Sequence, residues 1–275
     1  MATSLRVTTR NARFQQWEAL LGNRAKRQRA GQFLVQGVRP ITMAVEAGWQ
    51  IVELLFDADV ALSTWAQQTL AQVRATRFAV AGALMHELGG KSEATPELLA
   101  VVAMREDNLD RIPARPDMLG MVFDRPTSPG NIGTLIRSAD AFGARGVVVT
   151  GHAADVYDPK AVRASTGSLF SLPVVRAPSH RPVLDWIAST RADGIDVRLV
   201  GTDERGDLDI AEYDFTLPTV VLVGNETTGL SAAWRDACDH LVRIPMSGRA
   251  SSLNAATAAS IVLYEAARQR GKPKR

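Results

Sequence analysis

Apolar positions along this 275-residue chain fall into two rhythms, and the change between them divides it. Early on, Phe14, Trp17, Leu20 and Leu21 recur at helical spacing, which predicts a helix over residues 10–30. Short apolar runs predict strands at Gln32–Gln36, Gln50–Phe56, Arg77–Ala79 and Leu98–Met104, with helices at Gly37–Ala47, Thr64–Val73 and Ala81–Leu88. Arg105–Asp117 loses any apolar period and carries Pro113 and Pro116, the marks of a linker. The expected domains are therefore 1–110 and 118–275, joined by 111–117. Beyond the linker, strands are expected at Leu119–Phe123, Gly146–Thr150, Leu172–Val175, Val197–Gly201, Thr219–Val223 and Leu241–Ile244. Helices fall between most of them, at Ile132–Phe142, Pro159–Ala164, Arg181–Ala192, Ser231–Asp239 and Leu253–Arg270. These strands are short, Val-rich and almost unbroken, as parallel strands buried on both faces must be. The expected fold class is α/β: an open, mostly parallel sheet with crossover helices, preceded by a smaller α/β domain.

Three polar stretches occupy strand-to-helix transitions of the second domain, where open α/β sheets hold ligands. In Pro129-Gly130-Asn131-Ile132-Gly133-Thr134-Leu135-Ile136-Arg137, Asn131 is the expected N-cap, and Ile132, Leu135, Ile136 and Ala139 form the buried stripe. Arg137 then points away from that stripe, either into solvent or toward a phosphate or a partner subunit. The second stretch, Gly224-Asn225-Glu226-Thr227-Thr228-Gly229-Leu230, follows a strand directly, with glycines suited to a turn around Glu226. The third, Ile244–Glu265, should leave its strand at Pro245, turn at Gly248 and enter a helix at Leu253 capped by Ser251 or Ser252. Ala255, Ala256, Ala258 and Ala259 would let another backbone approach that helix closely.

Composition narrows the chemistry. A hydrophobic share of 46% and a charged share of 22% are ordinary for a soluble globular protein. No apolar run is long enough to span a bilayer and no apolar signal segment opens the chain, so a cytoplasmic protein is expected. Cys238, the one cysteine, excludes an intrachain disulfide and a multi-thiolate metal site. It reads as a small buried helix residue rather than the nucleophile of an enzyme that methylates pyrimidine carbons. His86, His152, His180 and His240 lack ligand spacing, so no metal is expected. Dinucleotide, P-loop and hydrolase-elbow fingerprints are missing. Net charge is only +3, but Arg6, Arg10, Arg13, Arg24, Lys26, Arg27 and Arg29 crowd the first 31 residues and Arg268, Arg270, Lys272, Lys274 and Arg275 the last few. Such clusters suit either nucleic-acid binding or solvated chain ends.

Taken in order, the three stretches resemble the SpoU (TrmH-like) family of SPOUT methyltransferases. Its pattern is an Asn with an Arg six residues on, then G-N/S-E-x-x-G-L, then I-P-M-x-G-x-x-x-S-L-N before an alanine-rich helix. Here these are Asn131 and Arg137, Gly224-Asn225-Glu226 to Gly229-Leu230, and Ile244-Pro245-Met246 to Ser252-Leu253-Asn254. Val162 to Phe170 is similar to another family segment, and Gly31 to Gly37 to the RNA-binding accessory domain of many members, which folds like a small ribosomal protein. Members commonly carry Glu where this chain has Gln36, a departure expected to affect local packing more than activity. The resemblance implies a homodimer, a C-terminal trefoil knot, and methyl transfer from S-adenosylmethionine to a ribose 2′-oxygen of RNA. It implies catalytic roles for Asn131, Arg137, Glu226, Ser252 and Asn254. Gly201, Thr202, Gly224, Asn225, Ile244, Met246, Ser252 and Leu253 would hold the donor. Arg24, Lys26, Arg27, Arg29 and Arg163 are the expected RNA contacts. The family assigns Arg137 the part of base, but a guanidinium with a pKa above ~12 is better suited to holding a phosphate or a developing alkoxide. The separate accessory domain favours ribosomal RNA as substrate. Transfer RNA, or RNA binding without catalysis, are the alternatives.

Overall fold

The computed structural model describes residues 4–90 and 94–271. Of the expected basic tail, Lys272, Lys274 and Arg275 lie outside the described residues. The chain parts into two compact units: Met1–Arg105 with Tyr157–Ser171, and Glu106–Val156 with Leu172–Arg275.

The first unit runs β1 (Leu5–Val7), α1 (Ala12–Gly22), α2 (Arg24–Ala30), β2 (Gln32–Gln36), α3 (Val38–Glu46), β3 (Ile51–Asp57), α4 (Thr64–Gln72), β4 (Thr76–Val80), α5 (Gly82–Gly89) and β5 (Leu98–Ala103). Its five-stranded sheet has the order β1-β4-β3-β5-β2, with β5 antiparallel to both neighbours. The single helix expected over 10–30 is broken at Asn23. That residue is extended, and its side chain accepts from Lys26 N, so it ends α1 and caps α2. Phe14, Trp17, Leu20, Leu34, Leu55 and Phe78 pack as the core. The separate segment supplies α7 (Pro159–Ser165) and α8 (Ser168–Ser171) to this unit. Phe170 stacks on Phe33 with centroids 6.2 Å apart, meets Trp49 edge-on at 5.2 Å, and accepts the indole N–H at its carbonyl (2.9 Å). The spacing of Tyr157–Ser171 continues the β/α alternation of the expected second domain, but aromatic packing puts these residues in the first unit.

The second unit contains β6 (Leu119–Asp124), α6 (Pro129–Ala141), β7 (Gly146–Thr150), β8 (Val174–Ala177), α9 (Arg181–Ala192), β9 (Arg198–Thr202), β10 (Leu208–Asp209), β11 (Thr219–Val223), α10 (Ala232–Ala237), β12 (His240–Arg243) and α11 (Ala255–Gln269). Every pairing in its seven-stranded sheet, ordered β10-β12-β9-β11-β6-β7-β8, is parallel. β11 is inserted between β9 and β6, both laid down before it. The carboxyl ends of β9, β11, β6 and β12 therefore gather on one edge, where such sheets bind ligands. Ile132, Leu135, Ile136 and Ala139 of α6 are buried as the stripe requires, and so are Ala256, Ala259, Val262 and Leu263 of α11. Small residues let these helices approach until Ser138 and Ser260 share a hydroxyl hydrogen bond of 2.7 Å. Two expectations are corrected. Ile112 is only 3% exposed and packs into the second unit's core, so residues 111–117 are not a free linker. The short strands β1 and β10 were not expected, since pairing rather than pattern makes a two- or three-residue strand.

Candidate active site

Three loops leave the carboxyl ends of β9, β11 and β12 and, with Arg235 of α10 and the start of α11, enclose a cleft of about 600 Å³. Of the residues expected to hold a donor, Thr202, Gly224, Asn225, Ile244, Met246, Ser252 and Leu253 line it. Gly201 does not. A Cβ there would stand 2.7 Å from Leu241 Cδ2 and 2.9 Å from Cys238 Sγ, so this glycine serves the packing of β9 rather than the cleft. Sequence reasoning missed Asp203 and Arg235, which also line the cleft and pair at 2.6 Å. Their signal was positional, since Asp203 is the first residue beyond β9 and strand ends build this edge.

The β11 loop is rigid for local reasons. Asn225 and Gly229 exchange backbone hydrogen bonds, and the Asn225 side-chain oxygen accepts from Thr227 N (2.9 Å) and Thr228 N (3.0 Å). Gly224 faces the returning chain so closely that a Cβ would lie 2.5 Å from Leu230 N. The Asn225 amide donates to the Arg125 carbonyl at 2.6 Å. Arg125 has a left-handed backbone (φ 49°), uncommon outside glycine, and its guanidinium bonds both Asp124 and the Gly229 carbonyl. The β6 and β11 loops are thereby clamped together.

That clamp presents Glu226 to four donors: Thr127 N (3.0 Å), Thr127 Oγ1 (3.1 Å), Ser128 N (3.3 Å) and the Asn131 amide (3.0 Å). Burial pushes the Glu226 carboxyl up, but hydrogen bonds from Thr127, Asn131 and Ser128 outweigh it and hold the group below the ordinary carboxylate value. The Asn131 side-chain oxygen in turn accepts from the Asn254 amide at 3.2 Å. Three expected catalytic residues thus form one relay. Two caps differ from expectation. Ser128, not Asn131, caps α6, because Pro129 occupies the first helical turn and leaves Asn131 inside it. Asn254, not Ser251 or Ser252, caps α11, accepting from Ala256 N (3.0 Å) and Thr257 N (3.2 Å). Its oxygen thus starts the helix while its nitrogen reaches the site. Ser252 lies on the cleft wall apart from the relay, and Arg137 is exposed on α6.

The lining suits a donor with an adenine ring, a sulfonium and an amino-acid tail. Met246 and Leu253 are 41% and 37% exposed, large apolar side chains left for a ring to cover. Asp203, Glu226 and Arg235 place charge on the lining, with Arg235 already paired to Asp203. Cys238 does not take part: burial pushes its thiol up to about 12, so it is a neutral packing residue at physiological pH. Among the described residues no group of three or more His, Cys, Asp and Glu could hold a metal ion. In the first unit, Lys26, Arg24, Arg29 and Arg163 are exposed, but Arg27 is 2% exposed. Its guanidinium donates to the Leu20 and Leu21 carbonyls and pairs with Asp158 at 3.6 Å, so the expectation that it contacts RNA is corrected. The Gln36 amide, with its nitrogen toward the Gly89 carbonyl, accepts from Arg163 at 3.0 Å.

Strand-end loops around a donor-sized cleft, with an alanine-rich closing helix and an Asn–Glu–Asn relay, define a class of α/β methyltransferase. The chain belongs to the SpoU rRNA methylase family, whose model matches residues 118–264, and the SpoU L30e-like domain matches residues 11–100. It is 64% identical to the 23S rRNA (uridine(2479)-2′-O)-methyltransferase of Streptomyces viridochromogenes, over 96% of this chain and 92% of that protein. The crystal structure of the SpoU methyltransferase AviRb from Streptomyces viridochromogenes in complex with the cofactor AdoMet superposes with a TM-score of 0.93 at 63% identity, covering 96% of this chain and all of that one. An AdoMet-bound rRNA methyltransferase from Sinorhizobium meliloti is 30% identical, with a TM-score of 0.85 over 96% of this chain and 97% of its own.

Proposed function

We propose that this protein methylates the ribose 2′-oxygen of a uridine in 23S ribosomal RNA, using S-adenosylmethionine. The enzyme class and donor follow from family membership and from the AdoMet-bound relative. The uridine and the 23S molecule are extended from the Streptomyces relative. The observation that carries the reading is the relay that runs from Glu226, on the cleft lining, through Asn131 to Asn254.

Bound S-adenosylmethionine supplies an electrophilic methyl group on a sulfonium that leaves as a neutral sulfide. The protein's task is to hold a ribose hydroxyl in line with that methyl and to ease loss of its proton. Glu226, ionised and saturated with donors, fixes the Asn131 amide, and Asn131 fixes Asn254. Their polar atoms orient the ribose and the donor's charged end. Ser252 adds a hydroxyl on the cleft wall. Arg137 binds the adjacent phosphate and the developing alkoxide.

The exposed side of α6 and α11, with Arg137 and the 57% exposed Tyr264, is the proposed homodimer face, so a partner completes the site. A C-terminal knot is supported by the path of the chain: β12 enters between β9 and β10, and α11 then lies against α6. No helix among the described residues is long and apolar enough to cross a membrane, and an enzyme acting on ribosomal RNA works in the cytoplasm, where its substrate is.

The test is methyl transfer from radiolabelled donor to unmodified 23S rRNA, with alkaline hydrolysis to find the protected linkage. One protected linkage at a uridine supports the assignment. Label on a base, or none with donor bound, overturns it. A monomeric variant with full turnover would sink the shared site.

A further inference from the structure

We propose that the first unit carries a pocket for a single unpaired nucleotide of the RNA substrate, between α1, α2 and the sheet. The inference rests on RNA being the substrate. A cleft of about 690 Å³ lies there, lined by α1, α2 and residues of β2, β3 and β5. Its floor is apolar, from Trp17 and Val101. Glu53, the acidic residue of the lining, is already spent: Trp17 Nε1 donates to it at 2.6 Å and Arg13 pairs with it. The amides of Gln15 and Gln32 line the walls with no hydrogen-bond partner among the described residues. Lys26 and Arg29 stand on the lining beside them without an ion pair among those residues.

These three chemistries match the parts of one nucleotide. An apolar floor accepts a base removed from its stack, side-chain amides read both donor and acceptor on its edge, and the cations take its phosphate. A continuous duplex would use only the cations, because paired bases do not enter a concave cleft. The unpaired nucleotide therefore comes from a loop, bulge or strand end, and the unit reads a local RNA feature rather than charge alone.

The full-length protein and two double variants, Gln15→Ala/Gln32→Ala and Lys26→Ala/Arg29→Ala, would be titrated with transcribed 23S rRNA at several salt concentrations. Donor affinity and melting temperature, unchanged in both, confirm the fold. Loss of the amides should raise the RNA Kd roughly tenfold or more with the salt slope kept. Loss of the cations should reduce the slope by about one and a half. An amide variant that binds like wild type overturns the pocket and leaves a merely electrostatic surface. Free adenosine and uridine monophosphates form a further arm. If either binds wild type tightly and is lost in the amide variant while RNA affinity stays, the cleft is a site for free nucleotides and the proposal fails. Wild-type RNA affinity without methylation would refute the proposed reaction and leave this test intact.

Discussion

Asn254 does two jobs with one amide, and the two can be separated. Its oxygen caps α11, a contribution of about 1 kcal/mol, and its nitrogen reaches Asn131. Asn254→Ala should lower both the melting temperature and the methylation rate, whereas Asn254→Ser should restore the cap and stability without restoring the rate. Thermal melts beside turnover would show the split. Glu226 makes a pH prediction. Its folded-state value lies below the ordinary 4.5, so its contribution to stability is complete above that value and drains away as pH falls through the lower one. Wild type should therefore lose more stability than Glu226→Gln between about pH 5 and pH 3. Parallel acid melts that coincide would remove the carboxylate from the relay. Arg137→Ala should cost orders of magnitude in transfer while leaving donor affinity near normal, as calorimetry would record. Full activity would return Arg137 to a solvated position.

At the scale of elements, the β11 loop sets the cleft wall because two backbones touch at Gly224. An added methyl there meets main-chain atoms of Gly229 and Leu230, which cannot swing aside as a side chain can. Gly224→Ala should open the Asn225–Gly229 bridge and weaken donor binding by tenfold or more, read by titration calorimetry. Gly201→Ala meets only side chains, of Leu241, Leu230 and Cys238, so it should cost about 1–3 kcal/mol of stability with little change in donor affinity. Comparable loss of donor binding in both would mean that Gly201 belongs to the cleft after all.

Across the whole molecule, the boundary between units is not a cut at one place. Tyr157–Ser171 belongs with the first unit, so removing residues 1–110 strips the partners of Tyr157 and Phe170, both nearly fully buried. That deletion should yield an aggregating or poorly folded product. A version that also replaces Tyr157–Ser171 with a short Gly-rich loop should recover solubility and donor binding. Phe170→Ala in the full chain should cost about 3–5 kcal/mol, measured by denaturant unfolding. A soluble, cooperative product of the simple deletion would show that the segment folds without its aromatic partners.

Element types and most of their extents are legible in the chain's local pattern, because hydrophobic period and strand composition act over a few residues. Gly146–Thr150, Arg181–Ala192 and Thr219–Val223 emerge with the expected bounds. The chain's motifs also single out Glu226, Asn131 and Asn254, which the fold brings together. Tertiary structure decided what depends on distant neighbours. Glu226 meets Asn131 across 95 positions and Asn254 meets Asn131 across 123, a convergence that no local spacing encodes. The same holds for Arg27, which looks like one more cation in a basic run until the C-terminal end of α1 and Asp158 close over it. The caps of α6 and α11 depend on context in a smaller way, since neighbouring Ser and Asn residues compete and only the path into the helix selects one. Local physics chose the parts, and burial against remote chain chose their roles.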